Sequence, residues 1–196
     1  MGLLNVQTVR PQISRHNRRR ASPRCLAWAL ACAALALPSA AQEVTGEATA
    51  KARLTVTLAR FVRWPAAPAA SAVAPMRLCV LHQSPAIASA FAAHGGSLVS
   101  GRPLAVLSNP EWLPDACDLL FVDGSSPRFM PDVLDTPQRS PRLTLGAVDG
   151  FLSRGGMVEI VNINDSLRFD VNLAALRNAG LVLNSQALKL ARQVRE

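Results

Sequence analysis

The chain has 196 residues with 21 Lys/Arg against 13 Asp/Glu, for a formal charge of +8, and half of it is hydrophobic with few aromatics and no tyrosine. A net charge of this size ordinarily points to nucleic acid or an anionic membrane as partner. The distribution excludes that reading: residues 1–41 hold six of the basic residues and none of the acidic ones, leaving 15 against 13, net +2, in residues 42–196.

Residues 15–24, RHNRRRASPR, are basic, Cys25–Leu37 is an uninterrupted apolar run, and Pro38-Ser39-Ala40-Ala41 places small residues where a signal peptidase cuts. This predicts a secretory signal peptide over 1–41, removed after Ala41, and export of the chain. The run is too short to span a bilayer. Arg18-Arg19-Arg20 lacks the residues that complete a twin-arginine signal, and Ala29-Leu30-Ala31-Cys32 departs from a lipoprotein box. Residues 42–196 are the size of one domain and hold no membrane-spanning stretch, so no membrane insertion is expected after cleavage. Two cysteines remain there, Cys79 and Cys117. An even count in an exported chain favours a disulfide over two buried thiols.

Glu47–Arg63 spaces Ala50, Leu54, Leu58, Phe61 and Val62 as one face of an amphipathic helix, which Trp64-Pro65 ends. Arg60, Arg63 and Trp64 at that end are candidate partner-binding or ligand-binding residues, beside the plainer reading of solvated arginines and a packed indole. Ala66–Pro75 is a loop. Met76–His82 reads as the first strand, Ser84-Pro85 opens a helix that Gly95-Gly96 stops, and Leu98–Leu107 folds back around Ser100-Gly101-Arg102. Pro110–Cys117 suits irregular helical turns, Asp118–Val122 a second buried strand, Pro127–Leu134 a helix, Arg142–Leu145 a third strand and Gly150–Arg154 a single turn. This alternation predicts an α/β fold, a three-layer αβα sandwich around a mixed sheet in a single domain.

Met157–Ile163 and Leu167–Val171, joined through Asn164-Asp165-Ser166, read as a hairpin. With an even loop, Val158, Ile160, Leu167, Phe169 and Val171 share one face. Glu159, Arg168 and Asp170 then form a charged cluster on the other, a second candidate contact surface, with Arg168 expected to offset the Glu159–Asp170 repulsion. Asn172 caps a helix through Ala179, Leu181–Leu183 is a short strand of the same sheet, and Ser185–Arg195 is a closing amphipathic helix using Leu188 and Ala191.

No nucleotide-binding, metalloprotease, nucleophile-elbow, redox C-x-x-C or calcium-loop pattern occurs. No catalytic residue, cofactor or metal site is assigned, and the scarcity of aromatics argues against base stacking and so against nucleic acid. His82, Asp123 and Ser125 fall at strand ends where doubly wound sheets hold ligands, but turn residues have the same composition.

Read in order, Phe61-Val62-Arg63-Trp64-Pro65, Arg77-Leu78-Cys79-Val80-Leu81, Cys117-Asp118-Leu119-Leu120-Phe121, Leu143-Thr144-Leu145-Gly146, Gly155-Gly156-Met157 and Arg168-Phe169-Asp170-Val171-Asn172 leading to Ala179-Gly180-Leu181 resemble the YfiR family of small periplasmic proteins. The resemblance implies an α/β domain, often dimeric, with a disulfide matching Cys79–Cys117. It further implies a non-enzymatic repressor that binds the periplasmic sensory domain of an inner-membrane diguanylate cyclase, lowering cyclic di-GMP and biofilm formation. The other reading is a small-ligand adaptor for a sensor kinase or transporter, with Arg60, Arg63 and Arg168 holding an anion.

Overall fold

Met76-Arg77-Leu78-Cys79-Val80-Leu81 forms strand β2, and all of it but Arg77 is buried. A strand this apolar on both sides needs a layer on each face and a neighbour on each edge. In the computed structural model, which describes residues 39–65, 74–110, 117–125, 134 and 141–196, those neighbours are β4 (Arg102–Ser108) and β5 (Leu119–Asp123), both parallel to it. Residues 1–38 of the predicted signal peptide, most of the Ala66–Pro75 loop, the turns after Pro110 and most of the Pro127–Leu134 helix lie outside the described residues, while the last three of that peptide, Ser39–Ala41, begin the first helix.

The main sheet has eight strands in the order β10-β8-β7-β6-β5-β2-β4-β3. Here β3 is Leu98–Val99, β6 Leu143–Ala147, β7 Val158–Ile163, β8 Ser166–Asn172 and β10 Gln193–Arg195. The strands from β4 through β7 are parallel, β3 and β8 run antiparallel to their neighbours β4 and β7, and β10 is parallel to β8. The sheet is therefore mixed, the fold is α/β, and Ser39–Glu196 makes one compact unit. Within the parallel part the chain goes from β2 out to β4 and then to β5 on the other side, the reversal that defines a topological switch point.

The register sorts the strands' side chains into two cores. Leu78, Leu119 and Leu143 line up across one face, as do Val80, Phe121 and Leu145. Over them pack α1 (Ser39–Arg60), α2 (Pro85–Ala92), α3 (Leu173–Asn178) and α4 (Ser185–Leu188). Phe91 of α2 meets Phe121 with ring centroids 4.6 Å apart, a contact range favourable for aromatic pairs. The opposite face carries Cys79, Leu81, Leu120 and Val122 with Cys117 and Phe151. Phe151 precedes a 3-10 turn over Leu152–Arg154. It is completely buried, and its ring is seated so closely on β6 that a Cβ at Gly146 would stand 2.3 Å from it.

Several expectations are corrected. The buried stripe of α1 is Ala48, Ala52, Val56 and Ala59 together with Leu58, while Ala50 is exposed and Leu54 and Phe61 are half-buried. Three of these five are alanines, because a helix lying close on a sheet needs small side chains along its line of contact. The helix ends at Arg60 instead of Arg63. Val62 and Arg63 become β1, pairing antiparallel with Leu183 and Val182 of β9 in a separate two-stranded ribbon. Leu181–Leu183 thus does not join the main sheet. The closing helix stops after one turn, and Gln193–Arg195 extends as β10 because the outer edge of β8 at Asp170–Asn172 offers its backbone groups. A ladder of real hydrogen bonds outweighs a helical pattern resting on two residues.

The β7–β8 hairpin follows the even-loop case. Val158 faces Val171, Glu159 faces Asp170, Ile160 faces Phe169 and Val161 faces Arg168. Its two turn residues, Asn164 and Asp165, have φ of 48° and 60°, the positive values that a two-residue primed turn requires and that Asn and Asp tolerate. The Asn172 side chain accepts from Ala175 N at 3.0 Å and caps α3 as expected.

Candidate functional site

Glu159 and Asp170 sit opposite one another in the ladder, yet each has its own remedy for the repulsion. The Glu159 carboxylate accepts from the backbone N–H of Gly150 at 3.1 Å and of Leu152 at 3.0 Å, capping the turn beneath Phe151. Asp170 is buried and pairs with Arg192, whose Nε donates to Oδ1 at 2.9 Å while a second guanidinium nitrogen donates to Oδ2. The hydrogen bond to Asp170 holds the Arg192 guanidinium above its ordinary pKa. The countercharge is therefore Arg192 and not Arg168, a correction to the expected pairing. The sequence pattern puts Arg192 on the closing helix and so hides this role, whereas the residue lies just before β10, with its own N–H bonded to Phe169 O at 2.8 Å. Arg168 is exposed and has no polar partner among the described residues.

The second group of candidates surrounds the C-terminal end of α1. Arg60 is exposed and its Nε donates to Leu98 O at 3.1 Å, tying the helix end to strand β3. Arg63 is exposed in β1, directly opposite Val182, while their neighbours Val62 and Leu183 turn inward. Trp64 is half-buried against the core, its indole N–H enclosed without an acceptor. The structure thus brings Arg60, Arg63 and Trp64 together and places Glu159, Arg168 and Asp170 on a different element, the β7–β8 hairpin. Leu98 and Val182, 60% and 53% exposed, were not singled out from sequence, since a lone aliphatic in a short strand carries no signal of which way it points.

At the switch point the structure gathers His82, Asp123 and Ser125. Asp123 Oδ2 accepts from both the backbone N–H of Ser125 at 3.0 Å and its hydroxyl at 2.6 Å, and its Oδ1 lies 3.4 Å from Lys51 Nζ. Ser125 in turn accepts from Gln83 N at 3.0 Å, and His82 Nε2 bonds the Ser108 hydroxyl. Lys51 also pairs with Glu47 at 2.8 Å. These bonds stitch the β2 and β5 ends to each other and to α1, so the crevice where such folds hold ligands is bridged by the chain's own groups.

Cys79 and Cys117 form a disulfide with their Cα atoms 5.9 Å apart, both buried. It ties the central strand to the start of β5. A cavity of about 650 Å³ opens elsewhere, lined by Pro141, Thr144, Met157, Asn172 and the small residues of α3. Among the described residues no helix is long and apolar enough to cross a membrane.

A family model described as YfiR/HmsC-like matches residues 48–192. Among solved structures, the ABC domain in complex with L-Trp from Streptococcus pneumonia superposes with a TM-score of 0.52 at 13% identity, over 73% of this chain and 60% of that one. A conserved domain protein from Vibrio cholerae O1 biovar eltor gives 0.43 at 12% identity, over 61% of this chain and 55% of that one. The chain spans less than two-thirds of the length of either, and at such identities the first likeness shows the shared α/β fold alone. The family match, by contrast, runs through every strand from β1 to β9, the disulfide and both candidate surfaces, so the chain belongs to the YfiR/HmsC-like family of periplasmic, non-catalytic regulators.

Proposed function

We propose that residues 1–41 export the chain, and that the domain from residue 42 binds the periplasmic sensory domain of an inner-membrane diguanylate cyclase and holds the enzyme inactive, lowering cyclic di-GMP. The observation that carries this reading is the division of polar groups. Of those that could do chemistry or hold a small ligand, Asp123, Ser125 and Lys51 are engaged with one another and His82 with Ser108. The exposed guanidinium groups of Arg60, Arg63 and Arg168 have no carboxylate partner among the described residues. Unpaired surface cations set the register and approach of a protein partner more than they set affinity, which suits a regulator that must let go. The adaptor reading gains less support, since none of these arginines lines the cavity beside α3.

Deleting the gene should raise cellular cyclic di-GMP and surface attachment, and re-expression should restore both. Unchanged levels in a strain whose periplasm-facing cyclase is intact would sink the reading. Complementation with Arg168→Ala should give a normally folded, oxidised protein that represses less well. Full repression by that variant would remove the hairpin from the contact surface.

A further inference from the structure

The exposed surface at the C-terminal end of α1 combines aliphatic and basic side chains. Leu98 and Val182 are the large aliphatic side chains most exposed there, and each lies beside an arginine, Leu98 next to Arg60 through the Nε contact to its carbonyl and Val182 next to Arg63 through the β1–β9 register. Arg53, exposed and two helical turns before Arg60, continues the basic line along the same side of α1. None of Arg53, Arg60 or Arg63 forms an ion pair among the described residues, whereas Lys51, on another side of the same helix, has two carboxylates. Arg102 is matched with Asp118 and Arg192 with Asp170, whereas Arg168 on the hairpin is unpaired among the described residues like these three; what sets this surface apart is the exposed aliphatic side chain beside each of Arg60 and Arg63.

We propose that this surface, Arg53, Arg60 and Arg63 around Leu98 and Val182, is where an acidic face of the membrane partner docks. This rests on the regulatory reading above. Arginine is enriched among interface hot spots, and apolar neighbours such as Leu98 and Val182 serve as the surrounding contacts that exclude water from its charge-assisted bonds. The occupant's chemistry follows by complementarity: carboxylates spaced to meet the arginines, with an aliphatic contact between them. An anionic bilayer surface fits less well. Membrane-interface anchors are Trp and Tyr, yet the chain has no tyrosine, and Trp64 is turned inward with its N–H buried. The β1–β9 ribbon gives the surface its rigidity, because Asn184 N donates to Phe61 O at 2.9 Å and extends the ribbon's closure past Leu183.

The test titrates the mature chain against the full-length membrane cyclase in nanodiscs, with wild type as the control for the regulatory reading. Leu98→Glu and Val182→Glu each weaken binding by about tenfold or more. Arg53→Glu with Arg63→Glu does the same and flattens the salt dependence. Leu98→Ser and Val182→Ser, which remove the aliphatic contact without adding charge, lose less in the same order. Retention of the disulfide and of a single unfolding transition marks each variant as folded. Wild-type binding with all the variants unimpaired overturns the docking surface and leaves the regulatory reading standing. Failure of the wild type to bind defeats both. A parallel titration uses vesicles of phosphatidylglycerol and phosphatidylcholine, and wild-type binding there that the Glu variants abolish would reassign the surface to lipid.

Discussion

Lys51 shows how a residue can look available and be committed. Its ammonium loses solvation by burial, which lowers its affinity for a proton, but Glu47 and Asp123 more than offset that and hold it above the ordinary lysine value of 10.5. A group whose folded pKa is raised contributes stability that is complete below its unfolded value and fades as pH climbs through the folded one. The stability gap between wild type and Lys51→Met should therefore be flat from pH 6 to pH 9 and narrow only in alkali above about 10.5. Urea unfolding across that range measures it, and a gap that changes near neutrality would mean that another group is titrating. Arg192 makes the complementary point: one arginine inside the ladder's reach serves a buried carboxylate, so Arg168, three positions from the hairpin turn, stays free.

At the scale of elements, strand β6 and the turn beneath it are joined by Phe151. Its ring fills the space above Gly146 and Gly156, where an added Cβ would come within 2.3 Å and 2.2 Å of ring carbons. Gly146→Ala should cost about 1–3 kcal/mol by overpacking, and the double change Gly146→Ala with Phe151→Leu should recover part of that by making room. Denaturant midpoints of the two variants decide it. Elements of this kind were legible where local chemistry is strong. Met76–Leu81 reads as a buried strand, Asn164-Asp165 as a turn, Asn172 as a cap and Gly95-Gly96 as a stop. What stayed hidden were β1, β9's true partner and β10. Each is two or three residues long, too short for a period of two to show, and each is set by a partner distant in sequence. The candidate surfaces followed the same rule: Arg60 and Arg63 could be placed on one helix end, but Leu98 and Val182 come into view only once β3 and β9 are located.

Among the described residues the domain is held by a sheet whose central strands pair in parallel and by the Cys79–Cys117 disulfide. The disulfide joins residues 38 apart in sequence, and on the chain-entropy argument it stabilises the fold by about 4 kcal/mol. Reduction should lower the urea midpoint accordingly, with the same shift in the Cys79→Ala, Cys117→Ala double variant. A much smaller shift would mean that the reduced chain keeps the β2–β5 contact by packing alone.

The β1–β9 ribbon pairs residue 62 with residue 183. Closing so long a loop carries an entropic cost that shorter contacts do not, which favours its forming after them. Arg63 and Val182 become neighbours only when both ends of the domain are present and paired. A partner that reads this surface, as proposed above, would therefore ignore partly folded chains and count completed molecules rather than synthesised ones.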